Sequence, residues 1–330
     1  MKPSTELFQL IKSLSKSEKR YFKLTSSLQS GEKNYMKLFD AIEAQSEYDE
    51  KAIKNKFKTE IFIKHLPSEK NHLYSLILKS LRGFYADKSA AAILQEQLRN
   101  IELLFNKALY KECAKLIRKA KKMAYDYEKY YFLLDLIDWE KTMVEEEYLR
   151  GKFDKDLTKL VEEESECIEK LRNLAEYQML YSKINYVFRK GGYARNEDEQ
   201  KIVSDISNYH LIKGKNTALS TKAATACYYI KGLCASTERN LDESYVNFKK
   251  VVKIMEDNPL IMKELSKRYI KALNNVMFAY MDYRRWDECF AMIEKMKGLS
   301  KKTGFESIDI QLKLFTFPHN GELLAYISKG

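Results

Sequence analysis

Glycine and proline are scarce in this chain. Its 330 residues include Gly 11 and Pro 4, against average usage of about 7% and 5%. Glycine supplies the positive φ of tight hairpins and the bare backbone of phosphate-binding loops. So small a supply leaves little room for a meander of β-hairpins or for a nucleotide-binding sheet. Gly191-Gly192 stands alone, with no flanking strand and no Lys-Ser/Thr after it. A Gly-x-Ser-x-Gly elbow is also missing. Long apolar runs are lacking too. No stretch of about 18 apolar residues occurs, which excludes a membrane-spanning helix. The opening Met1-Lys2-Pro3-Ser4-Thr5-Glu6 has no apolar signal-peptide core, so the expected location is cytoplasmic. Histidines His65, His72, His210 and His319 lie far apart, and Pro67 separates the nearest two, so no metal site is expected. Cysteines Cys113, Cys167, Cys227, Cys234 and Cys289 form no Cys-x-x-Cys pair and read as buried, reduced thiols. The acidic runs Glu145-Glu146-Glu147 and Glu162-Glu163-Glu164 read as solvated helix faces. No cofactor, no small-molecule substrate and no enzymatic activity are expected.

What the chain does hold is Leu, Lys, Glu, Ala and Ile, most of them good helix formers. Tyr 23 is a large number for poor helix formers, so packing must hold them in place. The chain reads as all-α. Its net charge is +11. The first ninety residues hold 17 Lys/Arg against 11 Asp/Glu, a net of +6, which leaves +5 for the remaining 240. A basic excess favours an acidic partner or nucleic acid.

A motif returns about every 44 residues. A long apolar-periodic helix ends, a short turn follows, and an aromatic residue or Leu opens a second helix. The anchors Tyr110, Phe153, Tyr193, Leu241 and Trp286 are spaced by 43, 40, 48 and 45 residues. A period in this range predicts helix pairs stacked as a solenoid. Five pairs are expected from residue 90. The first runs from about Ala90 to Ala124, and the second carries Tyr131, Leu134, Trp139, Val144 and Tyr148 before a turn at Gly151-Lys152-Phe153-Asp154. The third spans about 170–210, the fourth about 217–258 before Pro259, and the fifth about 262–300. The stretch Tyr209–Asn216 reads as a linker.

Residues 1–89 do not follow the period. Ser4 or Thr5 can cap a first helix. Ser15 or Ser17, ahead of Glu18, opens a second, and Gly31 breaks the chain. Tyr35, Leu38, Phe39 and Ile42 mark another helix, Asp49 opens a short one, and Pro67-Ser68-Glu69 marks the start of a long one. These read as a helical cap for a solenoid in 90–330. The same bundle is weighed as a DNA-reading module with Asp49–Phe57 as recognition helix, carrying Lys51, Lys54, Lys56 and Lys58. It lacks the short glycine-containing turn, and base-reading side chains are few.

The fourth and fifth pairs resemble tetratricopeptide repeats. Tyr228 and Gly232 stand four apart on a first helix. Asn240-Leu241-Asp242-Glu243-Ser244 forms the turn, and Phe248 and Val251 follow. In the fifth pair Tyr280, Arg285-Trp286-Asp287-Glu288-Cys289 and Ile293 take the corresponding places. The stretch Leu10–Lys23 resembles the start of uncharacterised bacterial proteins with such repeats. The period near 44 exceeds the roughly 34 of the family, which implies longer helices. The resemblance implies an all-α superhelix of antiparallel helix pairs that binds a peptide or a protein. In peptide-binding members an Asn on the first helix holds the ligand backbone or carboxylate. Asn275 falls near that place, Asn274 and Arg268 lie close by, and Tyr229 and Asn185 are further candidates. An amide suits the task because it donates and accepts at once. Separately, Lys111, Lys115, Arg118, Lys119 and Lys122 share one helix side and form a candidate basic surface. The ending Gly321–Gly330 reads as a first helix plus one turn residue, so a longer native chain is expected. The leading expectation is a non-enzymatic protein- or peptide-binding scaffold. The alternative is a nucleic-acid-associated regulator with a basic N-terminal region and partner-sensing repeats.

Overall fold

The structure, a computed structural model, describes residues 5–27, 34–149, 157–214 and 217–329. Among these every regular element is helical and none is a strand. The chain forms two compact units, Met1–Glu96 and Gln97–Gly330.

The first unit contains α1 (Glu6–Ser13), α2 (Lys16–Ser27), α3 (Asn34–Glu43), α4 (Glu50–Lys56), a 3-10 turn over Ile61–His65, and α5 (Leu66–Phe84). α2 opens with a reciprocal cap. The Glu18 N–H donates to Ser15 Oγ at 3.3 Å, and the Ser15 N–H donates to Glu18 Oε2 at 2.6 Å. Asp49 caps α4 by accepting from the Ala52 N–H at 3.0 Å. Ile11, Phe22, Leu38, Phe39, Ile42, Leu73 and Ile77 make the core, with the Phe22 and Phe39 rings 4.9 Å apart. Pro67 sits in the first turn of α5, where its missing N–H costs nothing. Thr5 precedes α1 without a side-chain cap. Ser4 and Gly31 lie outside the described residues.

α6 (Ala90–Asn106) crosses the division between the units. The second unit continues with α7 (Tyr110–Asp126), α8 (Tyr130–Leu149), α9 (Thr158–Gly191), α10 (Glu197–Ser207), α11 (Thr221–Thr237), α12 (Leu241–Asp257), α13 (Pro259–Glu264), α14 (Ser266–Asp282), α15 (Trp286–Gly298), a 3-10 turn at Leu299–Lys301, and α16 (Ile308–Lys329). Neighbours pack in sequence: α7 on α8, α8 on α9, α9 on α11, α11 on α12, α12 on α14, and α14 and α15 on α16. This succession fits a helical superhelix.

The hairpin turns share one geometry despite the shortage of glycine. Ala108, Glu128, Arg239 and Arg284 have φ of 54°, 48°, 61° and 55°. Each is followed by an N–H that reaches back five residues: Leu109 to Leu104, Lys129 to Ala124, Asn240 to Ala235 and Arg285 to Tyr280. That is the Schellman ending, which satisfies the last carbonyls of a helix and turns the chain. Tyr110, Tyr130, Leu241 and Trp286 begin the next helix two residues later. The anchors Tyr110, Leu241 and Trp286 therefore sit where the motif places them, whereas Tyr193 opens no helix and lies in the loop ahead of α10. The turn at Glu128 falls between the expected first and second pairs, but no turn residue was singled out there, since it carries neither Gly nor Asn. Phe153, with Gly151-Lys152-Phe153-Asp154, lies outside the described residues, as do Lys215 and Asn216 of the expected linker.

One expected boundary is absent. Residues 158–191 form a single helix, α9, where the period placed the end of one pair and the start of the next. No Gly or Pro interrupts residues 158–190, so nothing local stops the helix. It ends at Gly192, whose φ of 82° lets its N–H cap Phe188 O. α9 thus serves both the second and the third pair, and the repeat is irregular there. On α8 the buried face is Tyr130, Leu133, Leu136, Ile137, Met143 and Val144, while Tyr131 points outward.

The later part of the unit shares one apolar core from Tyr177 to Ala325. Gly232 is essential to it. A Cβ at this position would stand 2.8 Å from the Phe248 ring, so glycine lets α11 and α12 close around that ring. All five cysteines are buried and unpaired. Burial pushes their thiols up, to about 11 for Cys167 and about 12 for Cys234. No helix among the described residues is long and apolar enough to cross a membrane. Residues 321–329 belong to α16, whose outer side leaves Ile308, Leu312, Phe315 and Ile327 exposed. Gly330 lies outside the described residues.

Candidate functional site

Helices α9, α11 and α14 are first helices of successive pairs, and their facing sides carry a polar and aromatic cluster. On α9, Tyr181, Asn185 and Arg189 stand four apart and so share one side. The Tyr181 hydroxyl donates to Asn185 Oδ1 at 3.5 Å. On α11, Thr225 and Tyr229 have the same spacing. The Tyr229 ring meets Tyr181 edge-on at 5.8 Å and Phe248 at 5.2 Å, a geometry that suits the ring quadrupole. On α14, Arg268, Lys271 and Asn275 follow at i, i+3 and i+7.

These side chains engage one another across the helices. Asn275 Nδ2 donates to the Tyr229 hydroxyl at 3.4 Å. Arg268 Nη1 donates to Thr225 Oγ1 at 3.0 Å and to Lys222 O at 3.3 Å. Its guanidinium carbon lies 5.9 Å from the Tyr181 ring centre, at the edge of cation–π range. Tyr229 is 4% exposed, and burial pushes its hydroxyl up. Arg268 is only half-buried by area, yet burial lowers its pKa. Burial also lowers the Lys271 ammonium, and the charges of Arg189, Lys267, Lys313 and Arg268 add to the effect.

Nearby, Lys267 and Lys313 grip Asp309 at 2.6 and 2.5 Å. They hold its carboxyl down at about 2. No described carboxylate pairs with Arg268, Lys271 or Arg189. Among the described residues no group of His, Cys, Asp and Glu is arranged to hold a metal ion.

Four of the five candidate groove residues therefore meet: Asn185, Tyr229, Arg268 and Asn275. Asn274 is half-buried one position away and makes none of these contacts. Tyr181, Thr225, Lys271 and Arg189 were not singled out from the sequence. The signal was present in the spacing 268, 271, 275 on one helix and 181, 185, 189 on another. The misread boundary within α9 hid the second set. The candidate basic surface on α7 is exposed at all five positions, Lys111, Lys115, Arg118, Lys119 and Lys122. Lys121, between them, points inward to Glu140 and Glu163. In the first unit, Lys51, Lys54, Lys56 and Lys58 are exposed around α4. Lys54 and Lys70 hold Glu50, whose carboxyl falls to about 2.

Comparison of the chain with protein-family models, with curated proteins and with solved structures gives no match.

Proposed function

We propose that the chain is a non-enzymatic scaffold that binds a peptide or a protein where α9, α11 and α14 present Asn185, Tyr181, Arg268 and Asn275. The observation that carries this reading is the convergence itself. Three helices that otherwise pack through apolar side chains bring amides, tyrosine hydroxyls and a guanidinium into one cluster. Amides and guanidinium groups recognise main-chain and carboxylate oxygens, and Tyr contributes contact area at low entropic cost. The tetratricopeptide resemblance points to the same side of the helices, with Asn275 in the ligand-holding place.

The test is capture from native cell lysate at low and at moderate salt, with mass spectrometry and nucleic-acid staining of what is retained. A discrete protein retained by the wild-type chain at both salts, and lost with Asn275→Ala, supports the scaffold. Nucleic acid retained only at low salt, with no protein, overturns it. Phosphate contacts release counterions and weaken steeply with salt. The second reading, a nucleic-acid-associated regulator, draws on the exposed lysines around α4, of which Lys54 is held by Glu50, and on the exposed cations of the α7 stripe.

A further inference from the structure

Where the loop after α9 meets the turn between α11 and α12, a cleft of about 560 Å³ opens between Tyr193, Arg195, Glu238 and Arg239, over buried Val203 and Thr237. The Ala194 N–H donates to Thr237 O at 3.2 Å and ties the two segments together. Two guanidinium groups share this cleft. The Arg239 guanidinium carbon lies 4.4 Å from the centre of the Tyr193 ring, and that of Arg195 lies 5.8 Å from it. Both are within cation–π reach of one ring. Arg195 is seated as well as stacked. Its Nη2 donates to Lys190 O at 2.5 Å and lies 1.7 Å from the place a Cβ on Gly191 would take. Only a residue without a side chain leaves that seat free. The Arg195 N–H donates to Glu199 Oε2 at 2.9 Å, and Lys190 meets the same carboxylate at 3.3 Å. Neither guanidinium forms an ion pair with a described carboxylate, and the Arg239 side chain makes no hydrogen bond with a described residue. Each fork therefore keeps N–H groups free for an oxyanion. Glu238, in the same lining, pairs with no described cation, and burial with the charge of Glu243 pushes its carboxyl up.

We propose that this cleft binds a small zwitterionic molecule, its phosphate or carboxylate head held by Arg195 and Arg239 and its ammonium held by Glu238. A guanidinium fork fits either oxyanion with two parallel bonds, and a fork already stacked or seated loses little freedom on binding. The volume falls within the range of roughly 300–1,000 Å³ usual for small-molecule sites. A ligand with an anionic head and no ammonium would leave the Glu238 carboxylate facing it without a counter-charge. The cleft lies at the hairpin turns and uses no residue of the α9, α11 and α14 cluster, so it stands independently of the peptide-binding reading.

Isothermal titration calorimetry of the full chain in phosphate-free buffer tests this with four probes. O-phosphoethanolamine and β-alanine carry an ammonium with a phosphate or a carboxylate head. Ethanolamine lacks the head, and succinate has a second carboxylate in place of the ammonium. One zwitterion is expected to bind at least about tenfold more tightly than ethanolamine or succinate, and the tighter of the two identifies the head. Arg239→Gln should weaken that binding at least about tenfold while keeping the wild-type Tm, since the side chain makes no hydrogen bond that holds the fold. Gly191→Ala keeps both charges but displaces Arg195, and should weaken binding several-fold. Glu238→Gln should narrow the gap between the zwitterion and succinate. Lys111→Gln on α7 should change nothing. Failure of both zwitterions, or binding that survives Arg239→Gln, overturns the site. Succinate bound as tightly as the better zwitterion overturns the zwitterionic ligand. A Gly191→Ala protein with unchanged Tm and unchanged affinity overturns the part given to Arg195. None of these results touches the peptide scaffold, which Asn275→Ala tests separately.

Discussion

Within the second unit, two sets of neighbouring helices solve the same packing problem in different ways. Between α11 and α12 the fit is steric. Ala223, Ala226, Gly232 and Ala235 are small and buried, and Phe248 fills the space that Gly232 leaves. Ser236 and Ser244 share a hydrogen bond of 2.7 Å, and Ser244 Oγ also donates to Gly232 O at 3.1 Å. Across α7, α8 and α9 ion pairs lie beside the buried apolar side chains Ile117, Leu133, Leu136, Ile137 and Cys167. Lys121 joins Glu140 to Glu163, Tyr125 adds a bond to Glu163, and Lys141 meets Glu164 at 2.6 Å. On early α9 Cys167 is buried, while Val161 and Ile168 are 49% and 51% exposed. Small residues against a ring fix one distance and one register. Ion pairs between long side chains permit sliding and depend on the medium. Tyr229 of the polar cluster packs on the same Phe248 ring, at 5.2 Å, so the cluster shares the steric joint.

The largest expected effect breaks the steric fit. Phe248→Ala should cost about 3–5 kcal/mol in urea unfolding, since it empties the centre of the joint. Gly232→Ala should cost about 1–3 kcal/mol by overpacking against the ring. The two should not add, and adding Phe248→Leu to Gly232→Ala should recover part of the loss. A neutral Gly232→Ala would show that the helices do not meet as closely as argued.

Next in size is the ammonium of Lys222 at the start of α11. It donates to the carbonyls of Tyr127 and Glu128 at 2.6 and 3.0 Å, while the Glu128 carboxylate accepts the N–H groups of Thr221 and Lys222. These bonds tie the α7–α8 turn to α11. Burial, with the charge of Lys129 beside it, brings the Lys222 pKa down to about 8. The fold therefore disfavours the charged form, and between pH 8 and 10.5 the unfolded chain binds more protons. Stability should rise with pH across that window, by about 2 kcal/mol. Lys222→Met should lack this rise. Chemical denaturation of both proteins at several pH values separates it from tyrosine ionisation, which they share.

Smaller again is the charged joint. Lys121→Met should cost about 1 kcal/mol, because Glu140 and Glu163 are left facing each other without a cation. In about 1 M salt that loss should shrink, whereas the loss from Gly232→Ala should not. Equal salt dependence of the two variants would erase the distinction between the joints.

The helical class and the later hairpins were legible because periodicity and turn anchors agreed from Thr221 to Gly298. The small-residue and aromatic pair Gly232 and Phe248 was legible too, since only a close approach explains a glycine inside a helix. What stayed hidden was hidden for physical reasons. The continuous α9 follows from local propensity over 158–190, which a period imposed from outside cannot see. The Glu128 turn went unread because a left-handed residue is expected to be Gly or Asn. In the polar cluster, Asn275 was singled out by its place relative to Trp286. Tyr181 and Lys271 needed the faces of two helices compared, and one of those helices had been cut in the wrong place.

The smallest effect bears on the turns common to both joints. A non-glycine residue in the left-handed region costs roughly 1 kcal/mol, and this chain places Ala, Glu, Arg and Arg there. Ala108 has only a methyl group to offer, so Ala108→Gly should relieve the strain, less glycine's extra freedom in the unfolded chain. A net gain of about 0.5 kcal/mol is expected, read as a rise in Tm. At Glu128 the same relief meets a larger loss, because the carboxylate that accepts from Thr221 and Lys222 disappears with the side chain. Glu128→Gly should therefore destabilise. Opposite signs at two turns of matching backbone geometry would show that glycine was dispensed with at Glu128 for what its side chain binds. The same sign at both would reduce the Glu128 contact to a by-product of the turn.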